Sequence, residues 1–447
     1  MRNMTQGPIR GHLLSYAVPL ILGNLFQLTY NAVDSVVIGR FAGEDALAAV
    51  GAANPVMTIA VLGVSGLCMG ASVLCSQFFG AGDLAAVKRE TATALLAGAV
   101  LSAAVLIFGL AFTGPILQAI NVPPEIFSMA GLYLRIIFCG FPFTFLYNAL
   151  SAFLRSVGDS KTPVRYLAAA SVLNVVLDVA FVWGLHWGVM GAAVATVIAQ
   201  ITSALLCAAH IYRKVPVLQL KPEDLRIDRE LLGKTVASGG ITALQQSCQP
   251  IGKVFIQSVI NAQGVSMIAA FNAVTRVDDF ACIPEQSISH GMMTCVAQNR
   301  GAGRHDRVHA TLRTGLGLEV SYWVCICAAT LLLKTPIMRL FAADEAAGML
   351  QMGVDYLTIM AFLYLLPGLT NGMQGFFRGM GQMSVTLFCT ALQISIRAVV
   401  VFVLVPRIGL TGAAWACMAG WGAMLAFEVP YYFWCRKHKW MTIEQEQ

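Results

Sequence analysis

Charged residues are scarce in this sequence of 447 residues, in which Asp, Glu, Lys and Arg together make up 12%. Soluble globular proteins carry about 25% charged residues, so a water-soluble fold is excluded. Hydrophobic residues make up 57% of the chain, which excludes a disordered chain or a nucleic-acid-binding protein with a basic face. We therefore predict an all-α polytopic membrane protein without a sizeable soluble domain.

Sequence motifs of enzymes and metal sites are also missing. The twelve cysteines contain no CxxC pair, and most of them fall within apolar segments, so we expect neither disulfides nor a soft-metal site. No HExxH, GxSxG or His-rich cluster is present, so we expect no enzyme activity and no cofactor. The polar start of the chain, residues 1–12, has no small-residue cleavage site and does not resemble a removable signal peptide.

Long apolar runs take the place of these motifs. A helix that crosses the hydrocarbon core of a bilayer needs about 20 apolar residues. Runs of this kind, bounded by charged residues, Gly or Pro, predict twelve transmembrane helices, at 13–36, 46–79, 91–113, 127–153, 163–184, 189–211, 235–261, 265–297, 310–333, 351–375, 385–405 and 410–434.

The basic residues predict the orientation of these spans. With twelve spans both termini lie on one side, and the loops on that side contain 21 Lys and Arg residues against 4 on the other side. Lys and Arg in short loops remain in the cytoplasm. We therefore expect both termini to be cytoplasmic in a multi-pass protein of the cell (inner) membrane, whose partner is the lipid bilayer.

The chain contains two related halves. A shift of 221 positions aligns Gln77 with Gln298 and residues 80–82 with 301–303, and a shift of 223 aligns residues 153–158 with 376–381. We predict an N-terminal lobe of six helices at 1–212, a charged cytoplasmic linker at 213–234 and a C-terminal lobe of six helices at 235–447.

An even number of spans in each repeat relates the lobes by a pseudo-twofold axis along the membrane normal. Transporters built in this way bind their substrate near the midplane, between the repeats. The repeat therefore favours a transporter that works by alternating access.

Polar residues lie inside the apolar spans of the first half. In the first span Asn24, Gln27, Asn31 and Asp34 recur every three or four residues, which places them on one face of a helix. Polar side chains on one face, ending in a carboxylate, indicate the lining of a wet cavity. The fifth span contains a second polar pair on one helical face, Asn174 and Asp178.

Two carboxylates at this depth predict a counter-ion, because a charged side chain in the bilayer core is unfavourable by a few kcal/mol. Asp34, Asn174, Asp178 and the nearby hydroxyl of Thr196 offer mainly oxygen ligands, which suit a hard cation or a shared proton. We predict a cation-coupling site here, with Asp34, Asn174 and Asp178 as the ligands if the ion is Na⁺. The alternative is that either acid is solvated at a helix end or paired with Arg40 or His186.

The second half differs at the matching positions. Asn174 aligns with Arg397 and Asp178 with Val401, so the oxygen-rich pair is replaced by a cation and an apolar residue. The roles of Asp278 and Asp279 are open. Glu285 is either a second protonatable or substrate-facing site or a structural partner of Lys253 or Arg397. The predicted cavity lining comprises Asn24, Gln27, Tyr30, Asn31, Gln249, Lys253, Glu285 and Arg397.

Several of these segments resemble the multidrug and toxic compound extrusion (MATE) family. The resemblance rests on Pro19 to Asn24 and residues 31–34, the turns at 77–82 and 298–303, residues 133–136, and the Asn174 and Asp178 pair. It implies a two-lobe exporter of twelve helices that moves organic cations or drugs outward against inward Na⁺ or H⁺. It also implies a cation site at Asp34, Asn174, Asp178 and Thr196.

One related architecture gives an alternative function. A lipid-linked oligosaccharide flippase has a similar arrangement of helices but needs a strongly basic cavity to hold pyrophosphate. Arg135, Lys253, Arg276 and Arg397 keep this alternative open, although the first half is acidic within the membrane. Neither function requires an obligate protein partner.

Overall fold

The computed structural model describes residues 2–341 and 347–440, and within these ranges the chain is almost entirely helical, with no β-strand. This confirms the all-α polytopic class. The helices are α1 Ile9–Phe41, α2 Glu44–Ala81, α3 Leu84–Ala119, α4 Pro124–Ser156, α5 Lys161–Asp178, α6 Gly188–Lys214, α7 Arg229–Asn261, α8 Val265–Gly301, α9 His305–Phe341, α10 Ala347–Leu363, α11 Leu365–Gly379, α12 Met383–Ile408 and α13 Leu410–Cys435.

Each of the twelve predicted spans corresponds to helix in the structure. Among the described residues, nine helices are long and apolar enough to cross a membrane, and α10 and α11 together form a tenth, bent span. The remaining two spans are α7 and α8, in which intramembrane Lys, Arg, Asp and Glu residues lower the hydropathy. Charged and polar residues therefore concentrate in the helices at the start of the second half.

The bend between α10 and α11 is the main irregularity of the second half. The two helices meet at an angle of 45°. Pro367 causes the break, because a proline inside a helix clashes with the carbonyl four residues earlier, here that of Leu363, the last residue of α10. The indole N–H of Trp323 donates to the carbonyls of Ala361 and Phe362, at 3.2 Å in each case, and so satisfies backbone acceptors beside the break.

The chain divides into two compact units. The first consists of Met1–Asn3 and Val18–Ala243, and the second of Met4–Ala17 and Leu244–Gln447. α1 and α7 therefore each contribute one segment to each unit, a division that the repeat pattern alone does not predict. Residues 342–346 and 441–447, which belong to the predicted C-terminal lobe, lie outside the described residues, as does the side chain of Lys439.

Each unit has its own apolar core. In the first unit α4 contributes large side chains that are fully buried, among them Phe141 and Phe153. In the second unit Tyr356, Met360 and Tyr364 are each at most 1% exposed and pack into one cluster. The hydroxyls of Tyr356 and Tyr364 need polar partners in this core, and both donate to the half-buried carboxylate of Asp278.

The N-terminal segment is held in the second unit by hydrogen bonds to the turn between α8 and α9. The backbone N–H of Met4 donates to Gln298 Oε1 at 2.9 Å, and the guanidinium of Arg307 donates to the carbonyls of Met4 and Gly7 at 3.1 and 2.9 Å. The amide of Asn299 also donates to the Met4 carbonyl, at 3.2 Å. These bonds fix a segment for which the sequence indicates only a polar leader.

In the first unit α2 and α7 approach so closely that only glycine fits at their contact. A Cβ at Gly66 would lie 2.5 Å from the backbone nitrogen of Ala243, and a Cβ at Gly70 would lie 2.7 Å from that of Gly239. Gly66 and Gly70 form a GxxxG pair, the spacing that lets two membrane helices pack backbone to backbone. This contact holds the first part of α7 in the first unit.

We expect Gly66→Ala to destabilise the protein by about 1–3 kcal/mol, because the added methyl group meets backbone atoms that cannot turn aside. Gly63→Ala on the same helix is the matched control, since a Cβ there meets nothing within 4 Å. Thermal unfolding of the purified protein in detergent measures the difference. Equal melting temperatures for the two variants would contradict the backbone contact between α2 and α7 at Gly66.

Candidate cation-binding site

The structure brings together the two acids that the sequence predicts to bind a cation. Asp34 lies on α1 and Asp178 is the last residue of α5, and their carboxyl groups are close enough to interact directly with one another. Asp178 is 0% exposed, whereas Asp34 is half-buried. Residues that are 144 positions apart in sequence therefore form one buried acidic pair within the first unit.

Asn174 joins the pair from one turn earlier on α5. It is 2% exposed, and in the orientation that satisfies both ends of its amide, Nδ2 donates to Asp178 Oδ2 at 3.3 Å. Its Oδ1 then accepts from the backbone nitrogen of Thr196 on α6, also at 3.3 Å. The contact with Thr196 thus runs through its backbone N–H, while the sequence prediction relied on its hydroxyl group.

The helix changes its winding immediately after Asp178. The chain continues from α5 as a π-helical segment, Val179–Gly184. Such wider turns are rare and occur frequently at functional sites, because they alter the direction in which side chains and backbone groups point. The predicted fifth span, residues 163–184, is therefore α-helical only as far as the acid.

Neither acid has a basic partner among the residues that the structure describes. No ion pair found in residues 2–341 and 347–440 includes Asp34 or Asp178, so the pairing with Arg40 or His186 that we considered is absent from this part of the chain. Oδ1 of each acid is buried and accepts no hydrogen bond from any described residue. The complete burial of Asp178 also argues against an acid that is simply solvated at a helix end.

Tyr30 and Gln27 extend the site along α1. The hydroxyl of Tyr30 interacts electrostatically with both carboxyl groups and contacts the side chain of Gln27. Of the other predicted lining residues on this helix, Asn24 is half-buried and Asn31 is exposed. The polar face of α1 therefore leads from the acidic pair toward exposed positions.

Tyr133 is a site residue that the sequence analysis missed. It lies on α4, is 7% exposed and interacts electrostatically with Asp34, Tyr30 and Asp178. The signal was present, since Tyr133 begins one of the segments on which the family resemblance rests. A tyrosine in an apolar span gives no indication of its neighbours until the helices are packed.

The arrangement is suited to a single small cation. Two neighbouring carboxylates repel each other strongly in a site of low dielectric constant, so they do not both remain charged without compensation. A proton shared between them removes one charge, and a bound Na⁺ is an alternative, because the carboxylate and amide oxygens are hard ligands. Among the described residues no group of three or more His, Cys, Asp or Glu side chains has the geometry of a metal site.

The matching region of the second unit has a different charge pattern. Arg397 on α12 interacts electrostatically with Asp278 on α8. Asp278 also accepts hydrogen bonds from the hydroxyls of Tyr356 and Tyr364, both at 2.7 Å. Here an acid has a cationic neighbour and two donors, so this region has no need of a bound ion.

Of the remaining predicted lining residues, Gln249 on α7 is exposed. Lys253 forms an ion pair with Asp279, with Nζ 2.8 Å from Oδ1. Glu285 is 1% exposed. Among the described residues it forms no hydrogen bond or ion pair with Lys253 or Arg397. The structural partnership that we considered for Glu285 is therefore absent there.

Three further buried acids were not singled out from the sequence. Glu428 on α13 accepts a hydrogen bond from Gln374 Nε2 at 2.6 Å, and Glu90 on α3 accepts one from the hydroxyl of Thr235. Glu319 on α9 is 1% exposed. The signal in each case was a single acid within or at the edge of an apolar run.

Two copies of a six-helix repeat, with ionisable residues buried in the described spans, are typical of membrane transporters. The MatE family pattern matches it twice, over residues 19–180 and 242–403. The second match begins and ends 223 positions after the first, which confirms the internal repeat. The chain belongs to the MatE family of transporters, the MATE family that the sequence motifs resemble.

Two bacterial proteins that are named for multidrug resistance or export align with this chain over most of their length. The chain is 28% identical to the "Probable multidrug resistance protein YoeA" of Bacillus subtilis, over 79% of this chain and 77% of the relative. It is 22% identical to the "Multidrug export protein MepA" of Staphylococcus aureus, over 92% of this chain and 91% of that protein.

Solved structures show the same fold. A MATE protein in complex with MaL6 superposes with a TM-score of 0.89 at 21% identity, covering 97% of both chains. A MOP superfamily transporter from Pyrococcus furiosus superposes with a TM-score of 0.88 at 21% identity, again over 97% of both chains. These likenesses confirm the fold of twelve helices in two lobes.

We expect Asn174→Leu to destabilise the protein by about 1–3 kcal/mol, because Asp178 Oδ2 loses its donor while the carboxylate stays buried. Replacing both partners in Asn174→Leu/Asp178→Leu should recover most of this loss. The double-mutant cycle, measured by thermal unfolding, reports the coupling.

Asn148→Leu is the control for this cycle, since Asn148 donates only to the carbonyl of Thr144 on its own helix. Additive effects at positions 174 and 178 would contradict the contact between the two side chains.

Proposed function

We propose that this protein is a secondary active antiporter that exports organic cations or drugs in exchange for Na⁺ or H⁺. The observation that carries the proposal is the buried contact between Asp34 and Asp178, which has no basic partner among the described residues. The names of the relatives, multidrug resistance and multidrug export proteins, support drugs as the substrate class.

The proposed mechanism follows from the charge of the acidic pair. When the pair is empty and charged, it attracts a cation from the side of the membrane to which the site is open. Uptake of Na⁺ or a proton neutralises part of this charge. This lowers the free energy of the conformation that is open to the opposite side of the membrane, relative to the conformation in which the ion was bound. Exchange requires that the bound ion and the organic cation weaken each other's binding, which is a coupling free energy between two ligands.

Residues around the pair can take part in this coupling. Asn174 fixes the orientation of Asp178 through its amide, and Tyr30 interacts electrostatically with both acids. Any change in the charge of the pair alters the electrostatic environment of Tyr30 and Tyr133. Aromatic rings of this kind also attract organic cations through their π faces.

The flippase alternative lacks comparable support. A pyrophosphate site needs basic side chains that are free to bind an anion, but Lys253 contacts Asp279 and Arg397 interacts with Asp278. The acidic pair of the first unit would repel an anionic lipid head group. We therefore place cation antiport ahead of lipid flipping, and we assign the protein to the cell (inner) membrane with both termini in the cytoplasm.

We expect Asp34→Asn and Asp178→Asn, each made at normal abundance, to reduce gradient-driven transport of a cationic dye to the level of protein-free vesicles. Each substitution keeps the shape of the side chain but removes a charge that the ion must neutralise. Proteoliposomes loaded with the dye, with a Na⁺ gradient or a pH gradient applied separately, measure the effect and identify the coupling ion.

The control is Glu125→Gln, which removes an exposed acid in the first turn of α4 and should leave transport unchanged. Continued transport of the dye against its gradient by either aspartate variant would refute the assignment of the coupling site.

A further inference from the structure

A second pair of buried acids lies in the second unit. Glu285 on α8 and Glu319 on α9 are each 1% exposed. None of their four carboxyl oxygens has a hydrogen-bond partner among the described residues, and neither acid takes part in an ion pair there. Burying an uncompensated carboxylate costs several kcal/mol, so two neighbouring ones require a positive charge from elsewhere.

The two carboxyl groups border one small space. A Cβ at Gly368 on α11 would lie 3.5 Å from Glu319 Oε2 and 3.8 Å from Glu285 Cδ. Because glycine has no side chain, the position that a methyl group would fill remains open beside both acids. The side chain of Asn371, one turn further along α11, lies beside Glu285 without a hydrogen bond of good geometry. The two carboxyl groups and the side chain of Asn371 thus border the same place from three helices.

Close packing keeps the two acids from moving apart. A Cβ at Gly375 would lie 2.5 Å from the carbonyl oxygen of Ser289, so α8 and α11 touch backbone to backbone. The hydroxyl of Ser289 donates to the carbonyl of Asn371 at 2.6 Å, and that of Tyr322 on α9 donates to the carbonyl of Ala281 on α8 at 2.8 Å. The helices that carry the acids are therefore tied to one another on both sides of the space.

The helix break lies directly before this space. Gly368 is in the first turn of α11, which follows the 45° bend after α10. Broken membrane helices commonly form ion sites in transporters, because the break opens room for a small ligand and frees backbone groups. Two bases of this unit act elsewhere, since Lys253 contacts Asp279 and Arg397 acts on Asp278.

We propose that Glu285 and Glu319 share one small monovalent cation, Na⁺ or a proton, in the space beside Gly368. This second site is separate from the pair of Asp34 and Asp178 and does not depend on drug export. The shared chemistry is neutralisation of one of two adjacent carboxylates by a single positive charge, and the oxygen ligands suit either ion.

The test uses the full chain with the first site disabled by Asp34→Asn/Asp178→Asn, so that it remains informative if the proposed transport function fails. Equilibrium binding of radioactive Na⁺ shows whether Na⁺ occupies the site. The infrared C=O stretch of a protonated carboxylic acid shows whether a proton does. Both are compared before and after adding Glu285→Gln/Glu319→Gln. Asp355→Asn, at an exposed acid of the same unit, is the control.

We expect the disabled protein to retain either Na⁺ binding or the carboxylic acid band, and the glutamine substitutions to abolish that signal while Asp355→Asn does not. Gly368→Ala adds a methyl group at ordinary contact distance from both acids, so the protein should still fold. It should weaken Na⁺ binding severalfold if Na⁺ is the occupant, and it should leave the acid band in place if a proton is. The proposal is overturned if neither signal changes with the glutamine substitutions, or if Na⁺ is bound and Gly368→Ala has no effect on it.

Discussion

Buried carboxylates without basic partners are the constraint on which this account of the molecule depends. Inside a membrane an unpaired charge is expensive, and a chain retains one only where a mobile positive ion can compensate it. Asp34 and Asp178 meet this description in the first unit. Like charges this close together destabilise the empty site, so their proximity has no purely structural explanation.

The two units deal with charge in different ways at matching positions. In the first, Asn174 supports an acid, whereas in the second the aligned residue, Arg397, places a cation beside Asp278. The two copies of the repeat thus differ: we propose a bound ion at the acidic pair of the first unit, whereas Asp278 of the second unit has Arg397 as its counter-charge. The same principle explains why Glu285 and Glu319 stand out, since they lie in the second unit but outside the compensation that Arg397 supplies.

Much of the fold could be predicted from the sequence because the relevant signals are local. Apolar runs locate the twelve spans, with ends that differ from the helix ends by up to eight residues, and the repeat is visible in the aligned turns at residues 80–82 and 301–303. The spacing of Asn174 and Asp178 also indicates their common helical face. The bend after α10 was not predicted from Pro367, and the anchoring of Met4 beside Gln298 depends on contacts between distant segments.

The site was predictable in its residue types but not in its full membership. Glu319 was missed because a single acid in an apolar span shows nothing of its neighbour on another helix, and Tyr133 was missed for the same reason.

The most direct test of the central claim is the affinity of the purified protein for a fluorescent organic cation, measured across a range of Na⁺ concentrations and of pH. If the acidic pair exchanges one positive occupant for another, the affinity should fall as one of these two ions increases, and the bound dye should weaken binding of that ion by the same factor. A dye affinity that is independent of both Na⁺ and pH would contradict the account.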